Sequence, residues 1–158
     1  MYILDIIGGK IMQIKSCCLI VSNEIGEEEA YYLAERLREE IKKALQKGYT
    51  NFISSFENTI DLIFADIVVE LMNEFPHITL EAAISNSSKL ENADFLFNRL
   101  LNKCKTVGVT SIEHDNCTAK RNRLMVDFSQ LIIIINNDNE TNDLIIYAKS
   151  LKKEIIII

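Results

Sequence analysis

Glycine and proline are scarce in this chain of 158 residues: five glycines, at Gly8, Gly9, Gly26, Gly48 and Gly108, and one proline, Pro76. So few glycines leave few places where backbone can lie flat against a ligand. Histidine is limited to His77 and His114, and the four cysteines, Cys17, Cys18, Cys104 and Cys117, show no CxxC spacing and no pairing with either histidine. A zinc framework and a disulfide scaffold are therefore excluded, no cofactor or metal is expected, and the thiols are read as reduced and mostly buried. Positive charge is also short, with 17 Lys+Arg against 23 Asp+Glu and a net charge of -6. Affinity gained by neutralising phosphates along a polymer needs a basic face, so nucleic acid is an unlikely partner. No apolar run spans a bilayer and the N-terminus lacks the pattern of a secretory signal, which points to the cytoplasm and away from membranes. What the chain does have is 48% hydrophobic residues. At this length a chain buries roughly 68 to 70% of its unfolded surface, enough for one self-supporting domain.

The 25 isoleucines and 14 asparagines point to an AT-rich coding sequence. Gly8-Gly9, just before Met12, can be encoded by a purine-rich string of the kind that binds bacterial ribosomes. Residues 1–11 are accordingly either a translated leader ahead of an initiator Met12 or a short extra strand over ILDII (3–7), and residues 12–158 form the domain proper.

From residue 13 onward, β-type runs alternate with helix-type runs. The strand runs are IKSCCLIV (14–21), TNFISS (50–55), HITLEAAI (77–84), KTVGVTS (105–111), QLIIII (130–135) and EIIII (154–158). Between them the periodicity predicts helices over Glu27–Lys47, Thr59–Glu74, Asn92–Cys104, Cys117–Phe128 and Asn142–Lys152, with polar loops at SNSSK (85–89), IEHDN (112–116) and NNDNET (136–141). The first helix carries Ala30, Leu33, Ala34, Leu37, Ile41, Ala44 and Leu45 on one stripe, three glutamates in its first turn and Gly48 as a cap. The fold class expected is α/β: a three-layer Rossmann-like sandwich, with a mainly parallel sheet of about six strands and helices on both faces. Ligands in that architecture bind beyond the carboxyl ends of the strands. The helix Thr59–Glu74 has a second apolar line, Leu62, Ala65 and Val69. A homodimer through this helix is the reading preferred over burial beneath the neighbouring helix.

Three segments, FISSFENTIDLIFADIVVELMNEFPHITLEAAI, CTAKRNRLMVDFSQLIIIIN and YAKSLKKEIIII, resemble in order and spacing the YpsA-like branch of the SLOG superfamily. This is a bacterial Rossmann-like group related to the cytokinin-activating phosphoribohydrolases and to DNA-processing protein A. Arg121, Asn122, Met125, Val126 and Asp127 match the family's RNxxMVD element residue by residue. Elsewhere the chain is a degenerate member. Where the family has an ISGMALGVD-like loop, this chain reads Ile53, Ser54, Ser55, Phe56, Glu57, Asn58, Thr59, Ile60 and Asp61; where the family has a GGT triplet, it reads Asn139, Glu140 and Thr141. The polar TGHR-like end of the first strand is replaced by Leu19, Ile20, Val21, Ser22 and Asn23.

These losses carry a physical expectation. A phosphate is cradled by successive backbone N–H groups that glycine brings close, and Ser55, Phe56 and Thr59 add Cβ atoms there. Glu57 and Glu140 add carboxylates, and a like charge at ~4 Å costs roughly 4 kcal/mol at an effective dielectric near 20, about half of what a micromolar ligand gains in all. The resemblance implies ligand-contacting roles for Arg121, Asn122, Asp61, Ser55 and Thr141, with Arg121 as an anion-binding fork; Asn122 serves equally as a structural hydrogen-bonder at a helix start, and for Asp61 a place in a helix's first turn is the preferred reading. Cys117 sits where a helix dipole favours a thiolate, yet no general base presents itself beside it. The reading is a non-catalytic protein with a vestigial or altered nucleotide-type pocket that binds its small ligand weakly and has a regulatory or interaction role. The alternative is a phosphoribohydrolase-like enzyme acting on a nucleoside monophosphate or another nucleotide-derived ligand, with Arg121 holding substrate and Asp143 as the acid.

Overall fold

The structure is a computed structural model that describes residues 4–7, 10–111, 117–135 and 138–158. At the N-terminus, β1 (Leu4–Ile7) and β2 (Lys10–Gln13) pair antiparallel as a separate two-stranded unit in which Asp5 faces Met12. Met12 lies within β2.

The six β-type runs that follow form one sheet. They are β3 (Ser16–Val21), β4 (Asn51–Ser54), β5 (Thr79–Asn86), β6 (Thr106–Ser111), β7 (Leu131–Ile135) and β8 (Glu154–Ile157), in the order β6-β5-β4-β3-β7-β8, and every pairing is parallel. The helices are α1 (Glu27–Gln46), α2 (Thr59–Leu71), the single turn α3 (Ser88–Glu91), α4 (Phe95–Leu101), α5 (Cys117–Phe128) and α6 (Asn139–Ser150). This is the three-layer Rossmann-like architecture expected from the alternation.

The layers follow from the two-residue period of the strands. Cys17 and Leu19 point into a core built with Leu37 and Ile41 of α1, Phe64 and Val68 of α2, and Leu100 of α4. Cys18 and Ile20 point the other way, onto Met125 and Val126 of α5 and Ile145 and Ala148 of α6. Burial pushes both strand thiols up, Cys18 to about 12, so both behave as small core hydrophobes. Helix α1 buries its predicted stripe and is followed by Gly48 at φ 87°, where a side chain would be strained.

Several boundaries differ from the sequence reading. Helix α2 ends at Leu71 rather than Glu74, and the chain turns with Phe75 N–H on the Leu71 carbonyl before Pro76. Helix α4 starts at Phe95 rather than Asn92 because Asp94 caps it, its carboxylate accepting from Phe97 N–H at 2.8 Å. Helix α6 starts within the predicted loop because Asp138 is its N-cap.

The second apolar line of α2 is partly covered within the chain. Ala65 is fully buried, and Leu62 and Val69 pack at the margin of the same core. Ion pairs clamp α2 on both sides, Arg38 of α1 to Glu70 at 2.7 Å and Arg99 of α4 to Asp66 at 2.9 Å. Within the chain, α1 and α4 thus cover Ala65 and part of Leu62 and Val69, which stay partly exposed.

Candidate functional site

The strand order reverses between β3 and β7, so the crevice of this sheet opens at their carboxyl ends, flanked by the loops that follow β3 and β4 and by the start of α6. Helix α5 brings Arg121 and Asn122 to the same edge from the opposite layer, and both are buried.

The loop after β4 turns sharply at Phe56, which has φ 56°, a left-handed conformation costing a non-glycine residue roughly 1–2 kcal/mol. The turn is held because the Phe56 ring is 3% exposed and stacks edge-on against Phe97 of α4 at 5.2 Å. It directs the next residue, Glu57, back across the strand ends. There Glu57 Oε2 accepts from Arg121 Nη1 at 2.5 Å and from Ser85 Oγ at 3.2 Å, while Oε1 pairs with Lys89 Nζ at 3.0 Å. Partial burial pushes the Glu57 carboxyl up, but Lys89 and Arg121 outweigh it and hold it below the usual carboxylate range. The rest of the guanidinium is also engaged: Nη2 and Nε both donate to Asn122 Oδ1, at 2.8 and 3.2 Å. All three guanidinium nitrogens of Arg121 thus have acceptors from the chain itself.

Asp61 lies beneath this cluster, 1% exposed. It forms a capping box with Asn58: Asp61 N–H donates to Asn58 Oδ1 at 3.2 Å and Asn58 N–H to Asp61 Oδ2 at 3.1 Å. Desolvation pushes its carboxyl up to about 6, against the opposing pull of Ser55, Asn58 N–H and Arg121. Ser55 is buried in the same turn, where its hydroxyl accepts from Glu57 N–H at 3.4 Å.

Thr141 belongs to a second self-contained arrangement at the start of α6. Its N–H donates to Asp138 Oδ1 at 2.9 Å and its hydroxyl accepts from Asp138 N–H at 2.8 Å, while Asn23 Nδ2 donates to Asp138 Oδ2 at 3.0 Å. The Thr141 N–H, with Ser22, holds Asp138 below the usual carboxylate range. The positive end of α6 thus already carries a carboxylate. Glu140 and Asp143 are exposed and line a cleft of about 600 Å³ with Cys117, Asn122, Arg123 and Tyr147. Arg123 lies 4.1 Å from the Tyr147 ring centroid and Tyr147 donates to Asp127 at 2.5 Å, so the aromatic and basic groups of the cleft are also paired internally. Cys117 opens α5 at the rim of this cleft; His114 lies outside the described residues.

The fold therefore brings Ser55, Asp61, Arg121 and Asn122 together, sets Cys117 along the neighbouring cleft and buries Thr141 in the first turn of α6. Lys89 and Ser85 were missed by the sequence reading, and Glu57 was read only as a repulsive charge. The signal available was one loop carboxylate, Glu57, and two cations, Lys89 and Arg121, on segments that the topology places at the same strand ends. Among the described residues no His, Cys, Asp and Glu group could hold a metal ion, and no helix is long and apolar enough to cross a membrane.

No protein-family profile matches the chain, and no curated protein matches it at a significant level. Solved structures do. The chain is similar to TM1055, a structural-genomics target, at TM-score 0.61 and 13% identity over 90% of this chain and 72% of that one. It is also similar to DNA processing protein A from Streptococcus pneumoniae, at TM-score 0.65 and 12% identity over 91% of this chain. DNA processing protein A from Helicobacter pylori, a protein described for its single-stranded DNA binding mode, gives TM-score 0.55 and 14% identity over 90% of this chain. The chain spans 50% and 64% of the length of those two proteins. These likenesses show that the chain shares the Rossmann-like α/β fold of those structures.

Proposed function

We propose that this protein is a non-catalytic, YpsA-like member of the SLOG group whose nucleotide-type pocket is altered, and that it serves a regulatory or interaction role. The observation that carries this reading is the engagement of Arg121: among the described residues it is the one buried cation, and each of its three guanidinium nitrogens already donates to Glu57 or Asn122. A phosphate entering here has to displace a paired carboxylate, and at the start of α6 it meets Asp138 in the place where a helix end would otherwise accept an anion. A thermal-shift screen against nucleoside monophosphates and nucleotide-derived signals tests the reading. The expected outcome is little or no stabilisation by any mononucleotide. A large rise in the unfolding midpoint, accompanied by release of free base, would establish the phosphoribohydrolase-like alternative with Asp143 as its acid.

Two finer parts of the reading have their own tests. Self-association through α2 rests on the partly exposed Leu62 and Val69, and light scattering at tens of micromolar, on the order of ordinary dimer affinities, is expected to give a homodimer. Single-stranded DNA binding is favoured by similarity to the Helicobacter pylori protein and opposed by the net charge of -6. Passage through a heparin column without retention is the outcome expected from the charge.

A further inference from the structure

Glu57 is bound the way a ligand is bound. Its two carboxylate oxygens collect three donors from three separate elements: Arg121 of α5, Ser85 of β5 and Lys89 of α3. Arg121 and Ser85 are each 2% exposed, so two of the three donors are fixed by the core and do not adjust to solvent. The carboxylate arrives from a loop whose backbone is held in a left-handed turn to deliver it. A donor set preassembled on rigid elements, with its anion supplied from a strained loop, is an anion receptor carrying a built-in occupant.

We propose that Arg121, Ser85 and Lys89 form a latent oxyanion site, that Glu57 is its resident occupant and acts as an autoinhibitory plug, and that a phosphoryl group takes the site once the plug is withdrawn. This inference rests on the altered-pocket reading and deepens it, since it assigns the loss of nucleotide affinity to one exchangeable side chain rather than to a ruined site. The phosphoryl group has the right chemistry because it offers two or more charged oxygens to a guanidinium, an ammonium and a hydroxyl, as the Glu57 carboxylate does. A cleft of about 460 Å³ opens beside Glu57 and Lys89, lined also by Phe56, Asn58, Ser88 and Asn92, and gives an approach from solvent.

The test uses the whole chain, titrated with inorganic phosphate and separately with adenosine monophosphate, at ionic strength held constant with chloride. The unmutated protein is expected to show no binding of either. Glu57→Gln and Glu57→Ala are each expected to bind phosphate at least tenfold more tightly than the unmutated protein, and adding Arg121→Met or Lys89→Met to Glu57→Gln is expected to abolish the gain. A preference for adenosine monophosphate over phosphate in the Glu57 variants would identify a nucleotide as the source of the phosphoryl group; equal affinity would identify free phosphate. If a Glu57 variant does not fold in chloride, it is refolded in phosphate: recovery of native circular dichroism supports the proposal, and no recovery contradicts it. Folded Glu57 variants with no gain, or a gain that survives loss of Arg121, would overturn the plug even where the unmutated protein ignores nucleotides. Tight adenosine monophosphate binding by the unmutated protein would instead overturn the altered-pocket reading.

Discussion

Asp61 shows how a single buried carboxyl governs the response of the protein to pH. Its folded value lies near 6, against an ordinary value of 3.8, because burial penalises the charge more than Ser55, Asn58 N–H and Arg121 restore it. Between those two values the folded chain binds more protons than the unfolded one, so this group lowers stability as pH rises through that window, by up to about 3 kcal/mol at completion. Glu57 acts in the opposite sense: its lowered value gives stability that is present above its ordinary range and lost as pH falls through the folded value. The protein is therefore expected to be more stable near about pH 5 than at pH 7. Urea unfolding at the two pH values checks this, and Asp61→Asn, which keeps an acceptor for Asn58 N–H, is expected to remove most of the difference. A difference undiminished in Asp61→Asn would assign it to another group.

At the scale of elements, hydrogen bonds between side chains fix the parallel strands at their amino ends. Asn51 of β4 donates to Ser16 Oγ of β3 and to Glu81 Oε2 of β5, both at 3.0 Å, and accepts from Thr79 Oγ1 at 2.7 Å; Glu81 Oε1 in turn accepts from Thr106 of β6 at 2.8 Å. Four strands are thereby linked through one buried amide, which is 4% exposed. Asn51→Ala is expected to lower unfolding free energy by about 2–4 kcal/mol, since it removes three hydrogen bonds and strands their partners. Chemical denaturation measures the loss, and a change below about 1 kcal/mol would mean that water replaces the amide. This linkage was invisible in the sequence because it depends on register, and polar residues within apolar strand runs do not declare their partners. The strands and the stripe of α1 were legible because burial imposes periods of 2 and 3.6 residues. The boundary near residue 92 was not, because Asn92 and Asp94 are both good caps. Asn92 instead donates to the Ser88 carbonyl at the end of α3, leaving Asp94 to start α4. The site was legible in the same uneven way. The resemblance singled out Arg121, Asn122, Asp61 and Ser55, which lie near one another in the fold, yet the pairing of Glu57 with Arg121 turns on a left-handed Phe56, a conformation that nothing in a phenylalanine announces.

For the molecule as a whole, the anion-attracting features at the strand ends are satisfied from within. Arg121 holds Glu57, the start of α6 holds Asp138, and the start of α2 holds Asn58 and Asp61 in a capping box. Each arrangement stabilises the folded chain and occupies a place that would otherwise attract phosphate. The most direct measurement is calorimetric titration of adenosine monophosphate into the unmutated protein, with free adenine followed over time. No saturable heat is expected up to about 1 mM ligand, and no adenine. Micromolar binding with steady release of adenine would contradict the claim that the chain occupies its own anion site.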